Sequence, residues 1–269
     1  MGHTGEVPND PIGSHVQLIS LDSLVTATHA LSQSLTTQDI RRLSVRSGEH
    51  LAAMLTTAFL GRPPVGIEPG DGPDLVFAAS EDGKSPAVSI EIKSLPGAFR
   101  RYEAGLERAA GATEQTHQIT ITSVNDVLTE HCLHWIEVAR GQLARKVPPD
   151  ANVAKHVFLI AHFFDHPTVE CLENEVFISH TLNRLPDIGD VDAVWLLFAP
   201  THLVFWSTRD QRWSDFLFTG AEPNDADSLY GVGEQMTFLQ DVEALFLEEI
   251  GHDKGSPYLF SLTTEPAED

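Results

Sequence analysis

The 269-residue sequence predicts an α/β fold in which a single mixed β-sheet is flanked by helices. Residues 156–164 and 191–198 are continuous apolar runs, which are typical of strands buried on both faces. Residues 126–146 and 237–250 instead repeat apolar side chains at helical spacing. The composition, 42% apolar and 21% charged, is typical of a globular protein with a sizeable core.

The chain ends differ in composition from its centre. We expect the Gly- and Pro-rich residues 1–15 to be disordered, residues 16–262 to form one domain, and residues 263–269 to form a loose acidic tail. The two cysteines, Cys132 and Cys171, are too few for a disulfide framework. No apolar run approaches the ~20 residues that span a bilayer, and no secretory signal is visible. We therefore expect a cytoplasmic protein with no membrane partner.

The predicted elements follow the order helix, hairpin, helix, three strands and helix. Residues 16–35 are apolar and β-branched at first and then helix-like, and a helical region extends from about Thr37 to Leu60. Two strand-like segments then flank Asp82-Gly83, which is a strong hairpin signal.

The second half of the chain alternates helical and apolar segments. Residues 94–118 have a helical tendency, 119–122 favour a short strand, and a helix begins near Asp126 as N-cap. After the two buried strands, residues 203–207 predict a third. The apolar stripe of the 126–146 helix comprises Leu128, Cys132, Trp135, Ile136, Ala139 and Leu143.

The net charge of −22 is unevenly distributed along the chain. Residues 41–155 carry 13 of the 17 Lys and Arg side chains and are nearly neutral, whereas residues 156–269 carry most of the excess acid. The net charge of the whole molecule therefore disfavours the binding of a polyanion, but the middle segment can still present a local basic face.

One pair of segments carries a chemical pattern. In the strand that contains Ile90-Glu91-Ile92-Lys93, Glu91 and Lys93 leave the same face, and the isoleucines take the other. If the hairpin turns on Asp82-Gly83, Asp74 lies opposite Glu91, with Cβ atoms about 5 Å apart. Pro86 fits poorly in a regular ladder, which leaves a register shifted by one residue open.

Two facing carboxylates repel each other unless a cation lies between them. Mg²⁺ is a hard cation that prefers oxygen ligands and suits such a site. The alternatives are that Asp74 is a turn residue after Pro73 and that Lys93 only pairs with Glu91 at a strand end.

The residues Pro73-Asp74 and Glu91-Ile92-Lys93, with Glu49 on the preceding helix, resemble the motif of the PD-(D/E)XK nuclease superfamily. The resemblance covers roughly residues 45–95 and implies a restriction endonuclease-like fold and a metal-dependent nuclease. A homodimer is expected because duplex cleavage needs two cuts. The alternative is a catalytically silent nuclease-fold protein whose acidic C-terminal third meets a cationic partner.

The resemblance also implies roles for individual residues. Asp74 and Glu91 would bind Mg²⁺, or Mn²⁺ in its place, together with the backbone carbonyl of Ile92. Lys93 would orient or deprotonate the attacking water or neutralise the transition state. Glu49 would hold a metal-bound water or a second metal. If Ser47 caps its helix, Glu49 could instead only complement the helix dipole.

Five arginines are candidates for contacts with DNA phosphates. Arg100 and Arg101 follow the motif in a loop flanked by Gly and Pro, and Arg41, Arg42 and Arg46 lie in the first helical region. Solvated surface charges are the alternative for all of them.

Histidines and a cysteine form weaker patterns. His131, Cys132 and His134 lack a fourth ligand nearby, so a zinc site is disfavoured. His156 borders a buried strand, where a hydrogen-bonded core histidine is the commoner outcome.

Overall fold

The computed structural model of the chain describes residues 16–43, 48–67, 71–95, 121–161, 188, 190–198, 202–209, 212–219 and 232–252. The segments predicted to be disordered or loose, 1–15 and 263–269, lie outside these ranges.

The described residues form a seven-stranded mixed sheet and five helices, and the α/β prediction is confirmed. The strands are β1 (Val16–Ser20), β2 (Leu75–Phe77), β3 (Ala87–Leu95), β4 (Val153–Ala161), β5 (Ala193–Phe198), β6 (His202–Ser207) and β7 (Arg212–Thr219). The helices are α1 (Leu21–Ser34), α2 (Thr37–Arg42), α3 (Glu49–Leu60), α4 (Ile121–Lys146) and α5 (Val232–Glu249).

The strand order is β1-β7-β6-β5-β4-β3-β2, so β2 is an edge strand. Strands β3, β4 and β5 are parallel, and β2 joins β3 as an antiparallel hairpin. At the other side, β6 is antiparallel to both β5 and β7, and β1 pairs with β7 in parallel. The connection from β3 to β4 contains α4, as expected for a parallel crossover.

Alternating side chains divide the core into two clusters, one on each face of the sheet. On one face, α1, α3 and α5 pack on Ile90, Ile92 and Trp195. On the other face, α4 packs on Val157 and Leu196. The apolar stripe predicted for α4 is buried at Cys132, Ile136, Ala139 and Leu143. The face on which a strand residue lies therefore decides which helices it contacts.

Several predicted boundaries differ from the structure. The helical region 37–60 is two helices, because the chain leaves α2 at Leu43 in an extended conformation and enters α3 through Gly48, whose φ of 74° is left-handed.

Helix α4 begins at Ile121, so the predicted strand is wrong at positions 121 and 122, and Asp126 lies inside the helix rather than at its N-cap. Residues 94–118 were predicted helical, but Ser94 and Leu95 complete β3 and the rest lies outside the described residues.

The last helix is longer than predicted, and the last strand is absent from the prediction. Helix α5 starts at Val232, five residues before the predicted start. Strand β7 was not predicted at all, because Arg212 and Asp215 interrupt its apolar pattern.

Candidate functional site

The β2–β3 hairpin has the predicted register. Leu75 pairs with Ile90, which places Asp74, one residue before β2, across from Glu91. Gly83 adopts the left-handed conformation (φ 69°) that the turn requires. Pro86 precedes the first residue of β3 and therefore leaves the ladder undisturbed.

Asp74 is fixed against the neighbouring strand. Its Oδ2 atom accepts a hydrogen bond of 2.7 Å from the backbone N–H of Ile92. Burial, followed by the negative charge of Glu91, raises the pKa of Asp74 to about 6, although the Ile92 N–H and the Lys93 and Lys146 ammonium groups act in the opposite direction. The site thus resists a second negative charge, which is the electrostatic condition that a bound cation relieves.

Glu91 is buried, with 1% of its surface exposed, and each of its carboxylate oxygens accepts from an ammonium group. Lys93 Nζ lies 2.8 Å from Oε1, and Lys146 Nζ lies 2.8 Å from Oε2. The two lysine side chains remain 17% and 14% exposed. The two ammonium groups compensate the desolvation of the Glu91 carboxylate, and both lysine side chains remain partly in contact with water.

Sequence reasoning missed Lys146 as a member of this site. It lies 55 residues from Glu91 in the sequence, at the C-terminus of α4, where a cation is also explained by the helix dipole alone. The signal that could have found it is its position beside the stripe residue Leu143 and the next residue, Val147, both of which are buried in the core on this face of the sheet. The chain leaves β3, and the crossover helix α4 then packs back across the sheet. Its last turn, which contains Lys146, therefore lies next to Glu91.

Glu49 belongs to a different element from the two carboxylates. It is the first residue of α3, and the N-cap is Gly48 rather than Ser47. Helix α3 packs on the face of Ile90 and Ile92, whereas Glu91 points to the face of α4. Within the described part of the chain, no three His, Cys, Asp or Glu side chains are grouped so that they could hold a metal ion. The role that the resemblance implies for Glu49, holding a metal-bound water or a second metal, stays a prediction.

The candidate phosphate contacts divide into described and undescribed positions. Arg42 Nη1 donates to the backbone carbonyl of Ile67 at 2.7 Å, which ties α2 to the loop after α3. Arg41, its neighbour, is exposed. Arg46, Arg100 and Arg101 lie outside the described residues.

The donor set fits a divalent cation in its chemistry. The carboxylates of Asp74 and Glu91 and the carbonyl of Ile92 are the hard oxygen ligands that Mg²⁺ prefers. Both carboxylate oxygens of Glu91 already accept hydrogen bonds from ammonium groups, so a cation that binds Glu91 would replace one lysine as the partner of one oxygen.

Two of the other candidate polar residues, Cys132 and His156, are buried in the core. Burial raises the pKa of the Cys132 thiol to about 12, which opposes thiolate ligation to zinc. His156 accepts a 3.1 Å hydrogen bond at Nδ1 from Trp195 Nε1, and burial lowers its pKa to about 3. His156 is thus the hydrogen-bonded core histidine that the sequence favoured.

Compared with protein-family models, curated proteins and solved structures, the chain has no match. Among the described helices, none is long and apolar enough to cross a membrane.

Proposed function

We propose that this protein is a divalent-metal-dependent phosphodiesterase that cleaves DNA, on a restriction endonuclease-like form of the α/β fold. The observation that carries the proposal is the opposition of Asp74 and Glu91 at the edge hairpin, with two ammonium groups on the buried carboxylate. Four ionisable side chains meet there, from the residue before β2, from β3 and from α4, and three of the four are partly exposed to water.

Each of these side chains has a role in the proposed reaction. Asp74 and Glu91, with the carbonyl of Ile92, would hold Mg²⁺ or Mn²⁺, which when bound polarises the phosphate and activates water. The Ile92 N–H holds Asp74 in place, so this ligand is pre-organised. Lys93, whose ammonium group is 2.8 Å from Glu91, would stabilise the negative charge that develops on the phosphate oxygens.

DNA binding in this proposal uses the arginines of the middle segment. Arg100 and Arg101 come soon after β3 in sequence, and Arg41 is exposed on α2. Arg42 can contribute its charge, although its guanidinium also holds the Ile67 carbonyl. Cleavage of both strands would use a homodimer, and the low cysteine content suits a cytoplasmic enzyme.

A second candidate, a catalytically silent binding or assembly protein, is favoured by one specific observation. Both oxygens of Glu91 are paired with lysines, an arrangement that also stabilises a sheet edge without any metal. The two candidates differ in whether a divalent cation binds and whether DNA is cut.

The test is the cleavage of supercoiled and linear duplex DNA with Mg²⁺, with Mn²⁺ and with excess EDTA. We expect D74N, E91Q and K93M to lose about 100-fold or more of the metal-dependent activity. The matched controls E81Q and K84M alter exposed charges on the same hairpin and should cleave like the wild type. Cleavage in EDTA, or full activity of D74N and E91Q, would exclude this function, and a folded wild type that never cuts DNA would favour the silent protein.

A further inference from the structure

Lys146 differs from Lys93 in how it reaches Glu91. Lys93 is two residues away on the same strand and face, so the Cα atoms of Lys93 and Glu91 stay about 7 Å apart whatever binds. Lys146 comes from the end of another element, α4, and extends its side chain across to Oε2 at 2.8 Å. Its side chain is 14% exposed and can therefore turn towards water without any movement of the sheet.

The charges of the site are already balanced. With Asp74 ionised, two carboxylates face two ammonium groups, and the sum is zero. A divalent cation added to all four would leave a net charge of +2 in a place that is largely desolvated. Mg²⁺ also binds oxygen at about 2.1 Å, so a cation on Glu91 Oε2 would lie within a few ångströms of the Lys146 ammonium group.

We propose that Lys146 is an internal counter-ion that occupies the metal position on Glu91, and that a divalent cation must displace it. This inference rests on the metal site of the proposed function. Lys146 lowers the affinity of the site for metal, and it keeps the buried Glu91 carboxylate compensated while no metal is bound.

The first test is the calorimetric titration of Mn²⁺ and of Mg²⁺ into the wild type and four variants. K146M removes the competing charge, K146Q removes it but keeps a hydrogen-bond donor, K146R keeps it, and R145M removes an exposed charge one residue earlier. An opposite charge at ion-pair distance changes the affinity of a carboxylate for a cation such as H⁺ by about one to three powers of ten. We therefore expect K146M and K146Q to bind metal about tenfold tighter or more, and K146R and R145M to resemble the wild type.

The outcomes separate the two proposals. If the wild type binds metal and both neutral variants bind it no more tightly, Lys146 is not a competitor, and the metal site stands without it. If R145M gains as much as K146M, the effect is general electrostatics and the displacement model is wrong. If no protein binds either metal, the metal site and the inference both fail.

A second readout uses the wild-type protein alone. Acetylation of each lysine by a small reagent, followed by mass spectrometry, reports how free its amine is. In the absence of metal, Lys146 should react slowly because it is paired and largely covered, whereas Lys84, with its side chain 84% exposed, should react fast. Saturating Mn²⁺ should raise the rate at Lys146 several-fold and leave Lys84 unchanged. An unchanged Lys146 rate at saturating metal would overturn displacement.

Discussion

The two faces of the sheet bury polar groups in opposite ways. On the α4 face, one carboxylate, Glu91, meets two lysines that still touch water. On the other face, His50 Nε2 and Glu243 Oε1 lie 2.5 Å apart between α3 and α5, and neither side chain has any exposed surface. The first arrangement has several charges and partly exposed lysines, whereas in the second both side chains are completely buried in the core.

This difference shows how to separate structural polar groups from functional candidates. A completely sealed pair can lower the cost of its own burial, but it cannot exchange ligands with water. The cluster around Glu91 has more ionisable groups than a pair requires, and three of them, Asp74, Lys93 and Lys146, are partly exposed. Substitutions on the two faces should therefore have different consequences, and the predictions below compare them in order of expected size.

The largest effect on stability is expected at the sealed pair. Glu243→Ala leaves His50 buried without its carboxylate partner, which should lower the free energy of unfolding by about 3–5 kcal/mol. Glu91→Gln should cost less, about 1 kcal/mol, because the two lysines can turn to water. Urea denaturation followed by circular dichroism measures both values.

The matched control for Glu243 is the exposed Glu248 on the same helix. Glu248→Ala should change the free energy of unfolding by less than about 0.5 kcal/mol. An equal loss in Glu91→Gln and Glu243→Ala would mean that the two faces are equally structural, which contradicts the distinction drawn between them.

Acid should lower the free energy of unfolding through the buried side chain of His156. The pKa of a histidine in the unfolded chain is near 6.5, whereas burial lowers that of His156 to about 3 in the fold. Only the unfolded state takes up a proton between these values, so stability should fall as the pH drops below 6.5, by up to about 1.4 kcal/mol per pH unit. In His156→Asn, an amide oxygen can still accept from Trp195, and this pH dependence should disappear. Denaturation midpoints from pH 4.5 to 7.5 test it, and an identical slope in both proteins would contradict it.

The stability contributed by Asp74, Glu91, Lys93 and Lys146, here called the open cluster, should depend on pH with the opposite sign. Asp74 has a pKa of about 6 in the fold against 3.8 in the unfolded chain, so the folded state holds the extra proton between these values. Stability should therefore fall as the pH rises from 3.8 through 6, and Asp74→Asn should be more stable than the wild type at pH 7 by about 1–2 kcal/mol, since the group is partly exposed.

The Asp74 measurement is cleanest in EDTA and in the His156→Asn background. That background removes the titration that opposes Asp74 in the same pH range. If Asp74→Asn is less stable than its parent at pH 7, the carboxylate is a favourable turn residue and not a strained partner of Glu91.

The extent to which sequence predicted the structure follows the range of the interactions. The register of Asp74 and Glu91 was predictable because a short hairpin and the turn at Gly83 fix it locally. The parallel core strands were predictable because burial on both faces demands continuous apolar residues. The break between α2 and α3 depends on a left-handed Gly48, which periodicity does not reveal.

The members of each polar cluster were harder to predict than the elements that carry them. Lys146 joins Glu91 only when α4 has crossed over the sheet, and Glu243 joins His50 from 193 residues away. Likewise, the residue type and sequence position of Glu49 match the nuclease resemblance, but they do not reveal on which face of the sheet its helix packs. Residue type and spacing predict local geometry, but the face on which a helix packs is a property of the whole fold.

The smallest expected effect is also specific to the open cluster, and it is the response to Mg²⁺. A cation that binds only the folded protein adds about 1.4 kcal/mol of stability at ten times its dissociation constant. For a chain of this size that corresponds to roughly 3–6 °C in melting temperature. Asp74→Asn removes one of the two carboxylates and should abolish most of this shift. Glu248→Ala, on the surface of the other face, should keep the Mg²⁺-induced shift in full.

A thermal scan with Mg²⁺ up to ~10 mM, compared with NaCl at matched ionic strength, separates specific binding from screening. If Asp74→Asn shifts as much as the wild type, the cation binds elsewhere. If the wild type shows no Mg²⁺-specific shift, the open cluster is as structural as the sealed pair, and its exposed lysines serve only to compensate Glu91.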